Sequence, residues 1–173
     1  MMIDLLRSRH SVRKFENRPI ERDKIDLLCE GLLRSPSSRG RNPWEFVIVQ
    51  ERAVLEKLSR AKMSGSELIA GSALSIVILG DEAKADTWVE DCSIAAIIIQ
   101  LLAVDLGLGS CWVQIRNRPH NGSKSAEEYV RDLLGIPAQK RVGMIIAAGY
   151  SAEEPCTESR IESDTGRIHY EHY

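Results

Sequence analysis

Ala103-Val104-Asp105-Leu106-Gly107-Leu108-Gly109-Ser110-Cys111-Trp112-Val113 is the stretch on which the fold turns. Residues 93–108 form the most apolar run of the chain, broken by Gln100 and Asp105 and preceded by Asp91. A membrane span needs roughly 20 consecutive, mostly apolar residues, so the run predicts a buried core helix. Gly107 and Gly109 supply its stop, because glycine tolerates the backbone reversal that ends a helix. Residues 110–115 (SCWVQI) then predict a strand. Gly107-Leu108-Gly109 superficially suggests a dinucleotide-binding loop, but that motif follows a strand and opens a helix. Here the order is reversed, so a βαβ nucleotide unit is excluded.

Working outward, helical spacing at Ile25, Leu28, Cys29 and Leu32 predicts a helix over 21–34, with Glu21 and Asp23 in the acidic first turn and Ser35-Pro36 as its stop. Residues 44–50 (WEFVIVQ), 74–79 (LSIVIL) and 142–148 (VGMIIAA) are rich in β-branched or apolar side chains between turn formers and predict three more strands. Val54, Leu55 and Leu58 suit a short helix. Ser125 with Glu128 makes a capping box for another, ending at Gly135-Ile136-Pro137. No repeat or low-complexity linker divides the chain, so residues 1–173 read as one domain with a charged extension over 151–173.

A composition of 43% hydrophobic and 28% charged residues is that of a globular domain. The net charge of -2 argues against nucleic acid or an anionic membrane as partner, since both select a basic excess. Cys29, Cys92, Cys111 and Cys156 show no C-x-x-C or Cys/His ligand spacing, which predicts reduced thiols and no metal site. Met1-Met2-Ile3-Asp4-Leu5-Leu6-Arg7 is charged too early for a secretory signal, so a cytoplasmic location is expected.

Two segments carry chemistry. Residues 7–15 place Arg7, Arg9, Arg13 and Lys14 around Ser8, His10 and Ser11. A phosphate dianion suits such a cluster of guanidinium forks, hydroxyls and free N–H groups at a helix end; a solvated basic face has the same composition. Residues 35–44 (SPSSRGRNPW) form a helix-to-strand loop, rigid at both ends and rich in polar donors. Such a loop can lie against a planar heterocycle, or it can simply be a turn.

In combination and order these segments resemble the nitroreductase family of flavoproteins. Arg9-His10-Ser11-Val12-Arg13-Lys14-Phe15 resembles its R-[RH]-S-x-R-x-F signature, and residues 35–46 are similar to its A-P-S-x-x-N-x-Q-P-W-x-F loop. Residues 103–113 are similar to A-x-x-L-G-L-G-S-C-W-[IV], and residues 143–150 to a late G-x-I-x-x-G-Y strand. The resemblance spans essentially the whole chain. It implies an α+β sandwich, with a central, mainly antiparallel sheet flanked by helices, assembled as an intertwined homodimer with FMN at the interface and the segment after Tyr150 crossing onto the partner.

By position, the resemblance gives Arg9, His10, Ser11 and Arg13 to the FMN phosphate, ribityl chain or pyrimidine edge, with Arg160 as a later phosphate contact; Glu158 stands where another basic residue is common. Pro36, Ser37 and Ser38 match a loop laid along the isoalloxazine from the partner subunit. Gly40 replaces the usual Asn and Asn42 the usual Gln, which leaves Arg39 or Arg41 to take over part of the polar contact. Trp112, Val113 and Gln114 match the place where a backbone N–H meets flavin N5 or O4. The implied reaction is ping-pong, with NAD(P)H delivering hydride to N5 and an electron-poor acceptor (a nitroaromatic, a quinone or another flavin) taking the electrons; it requires no catalytic side chain. Alternatives are a specialised flavin enzyme of the same fold, flavin-destroying or dehalogenase-like, and a non-redox module that binds a phosphorylated ligand or carries flavin.

Overall fold

The structure is a computed structural model that describes residues 1–154 and 165–173. Four strands, β1 (Trp44–Val49), β2 (Leu74–Gly80), β3 (Gly109–Gln114) and β4 (Arg141–Gly149), form one sheet in the order β1-β2-β4-β3, every neighbouring pair antiparallel. Five helices accompany it: α1 (Met2–Ser8), α2 (Arg22–Leu33), α3 (Arg52–Leu58), α4 (Trp88–Asp105) and α5 (Ala126–Leu134).

Why β2 reads as an unbroken apolar run is clear from its place. It is central and buried along its whole length, so side chains on both faces need apolar cover. Ile76, Ile78, Met144 and Ile146 point into one cluster with Leu28, Leu32, Cys92, Ala96 and Ile99 of α2 and α4. Val77, Leu79, Ile145 and Ala147 point into the other, with Leu55 and Leu58 of α3 and Val130 of α5. Two helical layers thus sandwich the sheet, which is the expected α+β architecture.

Three expectations need correction. The core helix begins at Trp88 rather than at residue 93. Glu90 and Asp91 belong to its first turn, where the helix dipole favours negative charge, and do not mark its flank. Only Gly107, at φ 73°, acts as the helix stop. Gly109 is needed for space: a Cβ there would lie 2.7–2.9 Å from the Val12 side chain. Finally, α1 was not foreseen, being too short to show a period. The capping box of α5 forms as predicted, with the Ser125 N–H donating to Glu128 (2.8 Å), the Glu128 N–H donating to Ser125 Oγ (3.1 Å), and Gly135 closing the helix at φ 65°.

Candidate functional site: two polar corners of one sheet

The N-terminal basic segment docks on the outer edge of β3. Ser11 bridges Ser110 in parallel, and the Val12 N–H donates to the Ser110 carbonyl at 3.0 Å. The Arg13 and Lys14 N–H groups both donate to Glu153 Oε1, at 2.8 and 3.0 Å. Free N–H groups at a helix end, expected here for anion binding, are therefore not what this corner offers. α1 ends in carbonyls, and Arg9 is its C-cap, where a cation is favoured. The fixed charges remain available: among the described residues neither the Arg9 nor the Arg13 guanidinium is ion-paired, Arg13 donating only to the Ser11 carbonyl at 3.2 Å. His10 Nδ1 lies 3.0 Å from the Ser8 carbonyl.

A further cation joins them that sequence reasoning missed. Cys111 is buried, and burial pushes its thiol up against the opposing pull of Arg13, the Ser11 hydroxyl and Lys62. Lys62, half-buried beyond α3, is pulled down by burial and by Arg118 against Glu67 and Cys111. Arg13 and Lys62, from distant parts of the sequence, thus both bear on the Cys111 thiol.

β3 also presents donors at this edge. Ser110 accepts on the outer side and the Ile115 N–H donates inward to Gly143, at 3.2 Å. Alternation along a strand then turns the N–H groups of Trp112 and Gln114 outward, and that of Val113 inward toward β4. Val113 is enclosed in the α3–α5 core and faces no site with its side chain. Trp112 Nε1 donates to Gln114 Oε1 (3.0 Å) and Gln114 Nε2 to the Arg116 carbonyl (3.1 Å), which fixes both side chains along the edge.

The loop over 35–43 is held elsewhere. Its centre is a single 3₁₀ turn, Ser38–Gly40, in which Arg39 (φ 54°) and Gly40 (φ 64°) are left-handed, with Asn42 following at φ 46°. Asn is among the non-glycine residues that tolerate this region best, which accounts for a short amide here. Ser37 Oγ donates to Asn42 Oδ1 (2.7 Å) and accepts from the Asn42 N–H (2.8 Å). The Ser38 N–H donates to Asp91 Oδ1 at 2.8 Å, and Thr87 Oγ1 donates to Oδ2 at 3.1 Å. Asp91, 2% exposed, therefore pins the loop to the start of α4. Pro36, Arg39, Gly40 and Asn42 are exposed.

Within one chain these two groups do not meet. Ser110 is level with Ala148 and the start of β2, whereas Trp44, directly after the loop, is level with Gly80 and Arg141. Strand geometry separates them by roughly 24 Å along β4 and about 14 Å across the sheet. The basic segment and the loop occupy diagonally opposite corners. Arg160 and Glu158 lie outside the described residues.

Comparison with known proteins gives these corners a context. The model of the nitroreductase family matches residues 6–73 and 60–150. The chain belongs to the nitroreductase family. Its relatives include a protein of Methanothermobacter thermautotrophicus, provisionally named NADH dehydrogenase/NAD(P)H nitroreductase, 31% identical over 98% of this chain and 86% of the relative. A solved FMN-dependent nitroreductase from Clostridium difficile R20291 is 38% identical, with a TM-score of 0.94 over 99% of both chains. A second structure, from Bacteroides thetaiotaomicron and provisionally named like the archaeal relative, is 31% identical, with a TM-score of 0.90 over 99% of this chain and 98% of the other. The nitroreductases are oxidoreductases, and this chain is an enzyme of that class. Among the described residues, no helix is long and apolar enough to cross a membrane.

Proposed function

We propose that the protein is a cytoplasmic FMN-dependent oxidoreductase that works as a homodimer, taking hydride from NAD(P)H and passing it to an electron-poor acceptor such as a nitroaromatic, a quinone or a flavin. The carrying observation is the diagonal placement of two complementary corners. One holds unpaired guanidinium groups suited to a phosphate, the other a rigid polar loop suited to a ring, and a second copy of the chain can bring one to the other.

The residues present fit FMN. Arg9 and Arg13, with Ser11 and His10, would hold the phosphate and ribityl end by charge-assisted hydrogen bonds, and Lys62 would add to the positive charge of the site. Pro36, Ser37, Ser38, Gly40 and Asn42 of the partner's loop would cover the ring, their shape kept by Asp91 and the Ser37–Asn42 pair. The outward N–H groups of Trp112 and Gln114 would donate to the ring edge, with Val113 between them as packing. Bound FMN would supply the hydride-accepting centre. The chain's part is to orient the ring, place positive charge where electron density accumulates, and leave one face open to donor and acceptor in turn. No side chain serves as acid or base.

Apolar exposure supports the dimer. Leu27 and Leu33 of α2, Ile94 and Ile97 of α4, and Met2, Ile3 and Leu6 of α1 are all exposed, as are Ile168, Tyr170 and Tyr173 of the C-terminal segment. A second subunit would cover them, with residues 165–173 lying on the partner. The test is the visible spectrum of the purified protein before and after NADH or NADPH under argon, with sedimentation in parallel. A yellow dimer bleached by reduced nicotinamide and re-oxidised by a nitroaromatic or quinone is expected. A colourless protein that leaves added FMN fluorescent, or a monomer with FMN bound, would overturn the proposal.

A further inference from the structure

Beside the loop proposed to cover the flavin, a cavity of about 340 Å³ opens between residues 38–41 and the turn at 83–87. Ser38, Arg39 and Arg41 line it, whereas Ser37, Gly40 and Asn42 do not. Lys84 forms the opposite wall, with Ala83, Ala85, Asp86 and Thr87. Three cations thus converge on one hollow. Among the described residues the Arg39 guanidinium and the Lys84 ammonium have no hydrogen-bond or ion-pair partner. Arg41 is only loosely engaged, 3.5 Å from the Lys84 carbonyl and 3.8 Å from Asp86, whose own side chain is 92% exposed. The N–H groups of Asp86 and Thr87 donate to no acceptor in the described chain.

An excess of cations over carboxylates, beside backbone N–H groups without an acceptor in the described chain, selects a phosphate. The cavity holds no aromatic or branched aliphatic side chain, and its polar, cationic lining favours a phosphate and sugar over an apolar ligand. Its volume suits a phosphate with its attached sugar. We infer that this cavity binds the 2′-phosphoribose of NADPH and makes NADPH the preferred hydride donor. The inference rests on the proposed NAD(P)H-dependent reaction. It accounts for the arginines flanking Gly40: a left-handed turn that shapes the loop for the ring also turns Arg39 and Arg41 toward the cavity.

The experiment is calorimetric titration of the FMN-loaded protein with adenosine 2′,5′-bisphosphate, with adenosine 5′-monophosphate and inorganic phosphate as controls, and amide NMR to locate the contact. Binding of the bisphosphate with shifts at Lys84, Asp86 and Thr87 is expected, weakened about tenfold in Lys84→Ala and again in Arg41→Ala, as loss of a charge-assisted contact implies. The NADPH-to-NADH ratio of kcat/KM should fall by a similar factor. Equal affinity for the monophosphate, competition by inorganic phosphate at equal concentration, or bisphosphate binding unchanged in both variants would overturn the inference. A protein that takes up no FMN defeats the proposed function, but titration of the unloaded protein with the bisphosphate still decides the cavity.

Discussion

Asp91→Ala tests whether one buried carboxylate sets the loop that is proposed to cover the flavin. Asp91 accepts a short bond from the Ser38 N–H and another from the Thr87 hydroxyl, and it stands in the first turn of α4. A hydrogen bond to a charged group contributes about 1.5–3 kcal/mol, the hydroxyl about 0.5–1.5 kcal/mol, and the dipole up to about 1 kcal/mol. Because these terms share one group and overlap, the expected loss of stability is about 3 kcal/mol. Asn keeps an acceptor for the Ser38 N–H but gives up the charge, so Asp91→Asn should lose about 1–2 kcal/mol. Urea unfolding followed by circular dichroism measures both values, and fluorescence titration gives the FMN affinity. A graded loss of stability, with FMN affinity falling in the same order, is expected. If Asp91→Ala stays within about 0.5 kcal/mol of the parent and binds FMN equally well, the loop takes its shape from elsewhere.

Two further perturbations address the frame around the site. Burial pushes the Glu127 carboxyl up, but Arg141, through Nε at 2.7 Å and Nη2 at 3.1 Å, and the Val142 N–H together outweigh it and hold the group below its ordinary value. Its contribution is then present above the unfolded carboxylate range and lost as pH falls through the lower folded value. Urea midpoints measured from pH 6 downward should drop for the parent chain in acid and drop less for Glu127→Gln; parallel curves would refute the assignment. At the other end of the sheet, Gly109→Ala places a methyl 2.7–2.9 Å from Val12. It should cost about 1–3 kcal/mol by overpacking and loosen the segment bearing Arg13. Val12→Ala in the same chain should restore most of the loss, and no restoration would mean that the strain lies elsewhere.

Elements decided by a single local signal are legible in the sequence. The apolar run of β2, the Ser125–Glu128 box and the Ser35-Pro36 stop each carry a mechanism that needs no distant partner, and each appears where expected. Features whose deciding partner is remote are not. Gly109 looked like part of a helix stop because its real constraint, Val12, lies far back along the chain. Gln100 stood out within the apolar stretch and Asp91 just before it, but the partner that gives Asp91 its role is the Ser38 N–H, and Gln100 Nε2 reaches only Ser110 Oγ, at 3.5 Å. Lys62 carried no signal at all, since a lone lysine after a short helix reads as solvated surface. The basic cluster and the loop were legible as chemistry, but nothing local says that they stand at opposite corners of one sheet.

That separation leads to the most discriminating prediction. Arg13→Ala should weaken FMN binding by about 1.5–3 kcal/mol through loss of a charged hydrogen bond, and Asp91→Ala should weaken it by loosening the loop. If each flavin site takes its basic corner from one subunit and its loop from the other, a heterodimer of the two variants contains one site with both defects and one site with neither. Random mixing of equal amounts makes half of the dimers heterodimers, so a quarter of all sites should regain parental affinity. Unfolding and refolding the variants together, then titrating with FMN, would reveal this tight class; each variant refolded alone would lack it. If corner and loop served the same subunit's site, no mixture could produce an intact site, and the absence of a tight class in a mixture shown by mass to contain heterodimers would refute the shared site.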